Sequence, residues 1–148
     1  MAGGGFVGST GMNTASAISS VRPISEVLSY TNARLLDRYQ RDFGLSAEIA
    51  RLRFEGLKQF LYVCAVTPGY KVTSDSIDSM WHTFLLFTKD YSAFCETYFG
   101  RFINHDPFEV PSPDSYLKTR AAAEELFGSL DEELWPADAK ISCSSGCE

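Results

Sequence analysis

Ser74-Asp-Ser-Ile77-Asp78-Ser-Met80-Trp81-His82-Thr-Phe84-Leu85-Leu86-Phe87, continued directly by Thr88-Lys-Asp-Tyr91-Ser-Ala-Phe94-Cys95-Glu-Thr-Tyr98-Phe99-Gly100, is the stretch that decides the fold. Ser74-Asp75 opens a helix whose apolar residues fall on nearly all sides, which predicts the buried centre of the molecule. Thr88 restarts a second helix with Tyr91, Phe94, Cys95, Tyr98 and Phe99 at i, i+3, i+4, i+7 and i+8, and Gly100 suits its C-cap. The very short joint favours an antiparallel hairpin that brings the two faces together.

Working outward, a helical pattern runs from Ser25 to about Phe43, with Ser25 or Ser29 as its cap and Gly44 at its end. Leu45-Ser46 opens another helix, serine capping and leucine acting as a staple, that continues through Ile49, Leu52, Phe54, Leu57, Phe60, Leu61 and Cys64 to about Val66. Thr67-Pro68-Gly69 stops it, and residues 70–73 read as a short extended piece. Residues 101–111 form a loop, and Ser112-Pro113 is a cap and first-turn pair for a helix ending at Gly128. The fold class is therefore all-α: a compact bundle of about five helices over residues 23–128. A flexible leader at 1–22, with five glycines in its first eleven residues, and an acidic tail at 129–148 flank it.

Length and composition agree with one domain. The chain has 148 residues, 45% hydrophobic and 14% aromatic, enough to bury a core without disulfides and too much for a disordered chain. No apolar run approaches the roughly 18 residues of a membrane span. The net charge of −6 resides at the C-terminal end, which excludes a general nucleic-acid binder. Arg34, Arg38, Arg41, Arg51 and Arg53 form a basic strip, read as a solvated helix face balanced by Asp37, Asp42, Glu48 and Glu55. The uncharged N-terminus lacks the features of a secretory signal, which places the protein in a reducing cytoplasm. There Cys64 reads as core, while Cys143 and Cys147 are a weak CxxxC that suits metal, disulfide or thiol redox chemistry.

One polar cluster carries chemistry. Asp78 and His82 lie four apart on one helix, Tyr91 and Cys95 four apart on the next, and His105 follows shortly after. Asp78, His82, Cys95 and His105 are able to converge around a divalent ion, with zinc favoured by the mixed nitrogen and sulfur donors. Each also has a plainer reading: Asp78–His82 as a hydrogen-bonded pair, Cys95 as a small core residue.

The same residues carry a resemblance. Asp78, Trp81, His82, Leu85, Tyr91, Cys95, Phe99, Gly100 and His105, over roughly residues 30–110, make the chain similar to the glycine-rich domain-containing protein family. Phe84 stands where many members place a second histidine, and the long glycine-rich tract is missing. The resemblance implies a helical domain and a functional or structural role for the Asp/His/Cys/His set, without an enzymatic activity.

Two functions follow. The first is a small metal-binding domain, a closed four-ligand site being structural. If Cys95 is only core, three ligands leave an open position for Lewis-acid chemistry, with Tyr91 or Asp78 as proton-transfer groups. No set of nucleophile, base and orienting group is legible, so no enzymatic activity is assigned. The second is a metal-free module that binds partner proteins through its two ends and keeps the cluster as an internal hydrogen-bond network.

Overall fold

The computed structural model describes residues 20–106, 112–138 and 146–147, the last pair for backbone only. Among these residues the protein is mostly helical: α1 (Ile24–Ser29), α2 (Ala33–Phe43), α3 (Ala47–Val66), α4 (Asp75–Leu86), α5 (Thr88–Phe99) and α6 (Pro113–Phe127). Three two-residue strands, β1 (Lys71–Val72), β2 (His105–Asp106) and β3 (Gly146–Cys147), pair antiparallel in the order β1-β3-β2. The residues read as the leader lie outside the described residues up to position 19.

Local chemistry sets the helix ends where the sequence placed them. The side chains of Ser46, Ser74 and Ser112 accept the amide hydrogens of Ile49, Ile77 and Ser115. Gly44 and Gly100 close α2 and α5 at φ 63° and 71°, a left-handed conformation that a side chain would strain.

Four expectations need correcting. The helix read from Ser25 to Phe43 is two helices. Tyr30 is extended, and the Asn32 side chain accepts the amide of Leu35 and caps α2. A buried lysine holds this break: Lys58 Nζ donates to the carbonyls of Leu28 and Tyr30, 2.7 Å each, satisfying groups left open where α1 ends. Second, α4 is buried over most of its length, as expected, but shares the centre. The 20-residue α3 packs against α1, α2, α4 and α6, while Leu86 of α4 is exposed.

Third, the first part of the acidic tail belongs to the core. Leu134 and Trp135 are buried, Ser74 Oγ donates to the Leu134 carbonyl (2.5 Å), and Trp135 Nε1 donates to Gln59 (3.3 Å). The acidic residues of this segment face outward onto arginines: Arg53 meets Glu133 at 2.7 Å, and Arg120 meets Glu132 at 3.3 Å. Fourth, Cys64 is buried, as a core residue would be, but it is disulfide-bonded. Cys143 lies outside the described residues.

The aromatic residues make the core continuous. Phe84 contacts the rings of Tyr30, Phe54, Tyr91 and Phe94, and Phe60 packs on both Trp81 and Trp135. Among the described residues, no helix is long and apolar enough to cross a membrane.

Candidate metal centre

Asp78 and His82 project from one face of α4 because four residues make about one helical turn. Two residues on, Phe84 is fully buried in the aromatic core, while His82 is half exposed. A histidine at position 84 would therefore point away from the cluster, and its absence does not disturb the site.

His105 reaches the same place through a chain of packed and hydrogen-bonded groups. Trp81 Nε1 donates to the Tyr91 hydroxyl (3.1 Å), and that hydroxyl donates to the Ile103 carbonyl (2.6 Å). Tyr91 thereby pins the segment two residues before His105. Arg101 ties the same segment to α3 by donating to the Cys64 carbonyl (3.0 Å). The His105 ring then lies on Trp81, centroids 4.3 Å apart. Its backbone is part of β2, in register with Cys147 of β3.

The outcome is a tight triangle. His82 Nε2 and His105 Nε2 are 3.0 Å apart, His105 Nε2 and Asp78 Oδ1 3.1 Å, and His82 Nε2 and Asp78 Oδ1 3.4 Å. The Asp78 and His105 side chains are 6% and 10% exposed, and that of His82 is 50% exposed, so the cluster opens to solvent on the His82 side. Asp78, His82 and His105 form a group able to hold a metal ion.

The spacing fits an ion well. Three donor atoms 3.0–3.4 Å apart are close enough that one ion could be reached by all of them at the roughly 2.0–2.2 Å usual for zinc–nitrogen and zinc–oxygen bonds. Hydrogen bonding alone fits less well. A single shared Nε2–H covers two edges and leaves His82 Nε2 facing Asp78 Oδ1, a contact between two acceptors.

Cys95 is not part of this group. It is fully buried, and its thiol has hydrogen-bond partners in the Tyr91 hydroxyl and the Ile103 backbone. Burial pushes the thiol pKa up, which disfavours the thiolate that a metal needs. The i, i+4 spacing of Tyr91 and Cys95 does put them together, but on the core side of α5. Tyr91, expected as a proton-transfer group, is likewise buried with its pKa driven well up by desolvation, and it acts as an anchor. That anchor could have been found from its spacing of ten residues to Trp81 across the hairpin.

The basic strip is largely a solvated face. Arg38 pairs with Asp42 (2.7 Å), Arg53 with Glu133, and Arg34 lies 5.4 Å from the Phe87 ring centre.

Comparison with known proteins finds a match to the model of a family described as UCP032817-like over residues 26–121, which takes in most of α1, all of α2 to α5, much of α6 and the whole Asp78/His82/His105 cluster. No curated protein and no solved structure matches the chain.

Proposed function

The chain belongs to the UCP032817-like family, and from the geometry of its polar cluster we propose that it is a small helical domain binding one divalent transition-metal ion through Asp78, His82 and His105. The observation that carries this is the 3.0–3.4 Å triangle of one carboxylate oxygen and two imidazole nitrogens. Both rings would present Nε2 lone pairs to the ion, with their protons on Nδ1.

Zinc remains the first choice, as imidazole and carboxylate both suit it, but the donor set is now two nitrogens and one oxygen. Without a thiolate the softness argument for zinc falls away, and ferrous iron or another divalent ion of the same series fits this set too. The likeness to glycine-rich domain-containing proteins supports the same residues through Asp78, Trp81, His82 and His105. The ion would tie the α4 face to the segment that ends in β2. The Cys64 disulfide counts against the expected reducing cytoplasm, where such bonds are rare.

Elemental analysis of untagged protein, paired with thermal melts before and after chelation, tests this. One equivalent of metal and a melting temperature lowered by chelator are expected, because binding free energy is coupled to folding. His82→Ala, at an exposed position, should lose the metal while keeping its helical circular dichroism. Protein that takes up no zinc, iron or cobalt would leave the cluster as an internal hydrogen-bond network, the metal-free reading.

A further inference from the structure

Resting on that metal reading, we infer that the ion keeps an exchangeable position on its outward side, and that this position takes a small anion. Three donors cover one face of the ion. Asp78 and His105 are nearly buried beneath it and His82 flanks it at the surface, so the uncovered side faces solvent. Among the described residues no fourth histidine, cysteine or carboxylate joins the group. Cys95, the natural candidate, is committed to Tyr91 and Ile103 in the core. A tetrahedral ion held by three protein groups has one position left, the arrangement of open rather than closed sites.

Charge selects the ligand. A divalent ion with one carboxylate and two neutral imidazoles carries a net charge of about +1, so an anion completes neutrality where water does not. A small monoanion bound through one atom, a carboxylate or azide, matches both the single position and the charge.

Cobalt(II) makes the test visible. The full-length protein is loaded with cobalt, and its ligand-field absorption is followed while acetate, and separately azide, are added at constant ionic strength. A saturable change in the visible bands with both anions is expected, reversed when the anion is dialysed away and abolished when excess zinc displaces cobalt. Cobalt that binds with bands indifferent to either anion overturns the inference and leaves the metal reading standing. A thiolate-to-cobalt charge-transfer band in the near ultraviolet also overturns it, since a cysteine would then close the site. Failure of both cobalt and zinc to bind overturns the metal reading itself, and this inference with it.

Discussion

Tyr91 shows how much a single hydroxyl organises. It accepts from Trp81 and donates to Ile103 in the interior, so it couples the ring beneath His105 to the segment that delivers His105. Tyr91→Phe removes a donor and an acceptor while keeping the ring, and leaves the Trp81 indole N–H and the Ile103 carbonyl without that partner. Each such loss costs about 1–3 kcal/mol, so a total of about 2–6 kcal/mol is expected in urea melts. Zinc affinity should fall several-fold in the same variant, measured by competition with a chromophoric chelator. A variant that loses stability but binds zinc as tightly as the parent would show that His105 is held by other means.

Among the elements, α3 is the one on which the others dock, and Gly56 explains part of this. A methyl group built there would lie 2.9 and 3.0 Å from the Leu134 side chain and 3.2 Å from Ile77, inside normal contact distance. Gly56→Ala therefore sets two effects against each other. Alanine gains up to about 1 kcal/mol in helix propensity, while overpacking a filled core costs about 1–3 kcal/mol. Leu134 is buried and cannot swing away freely, so net destabilisation of about 1 kcal/mol is expected. It should come with faster hydrogen exchange in residues 129–138, and a stabilised protein would contradict this packing account. The helices themselves were legible because caps and periodicity are local: Ser46, Ser74, Ser112, Gly44 and Gly100 act on their own turns. The break at Tyr30 was only half legible: Asn32 caps α2 locally, but Lys58, 28 residues further on, satisfies the carbonyl the break leaves open.

For the molecule as a whole, the packed segment after α6 makes stability sensitive to alkali. The Tyr116 hydroxyl donates to the Pro136 carbonyl (2.8 Å), and burial pushes its pKa up to about 12 from an ordinary value near 10. Between these values the unfolded chain releases the proton and the folded chain keeps it. The contribution is thus complete below about pH 10 and is lost as pH rises towards 12. Tyr116→Phe should flatten the fall in melting temperature over that range, relative to the parent; an unchanged slope would assign the fall to other groups.

Sequence alone determined the mostly helical class, nearly all the helix boundaries, and the gathering of Asp78, His82 and His105 in one metal-capable cluster, because these depend on neighbours within a few turns or on rare residues falling close together. Only the tertiary structure decided the rest: that Cys95 turns into the core, that Trp135 returns from an acidic segment to pack on α3 residues, and that two imidazoles and a carboxylate close to about 3 Å. Each of these depends on how faces from distant segments rotate and dock to fill one interior at crystal-like density, and no local pattern encodes that rotation.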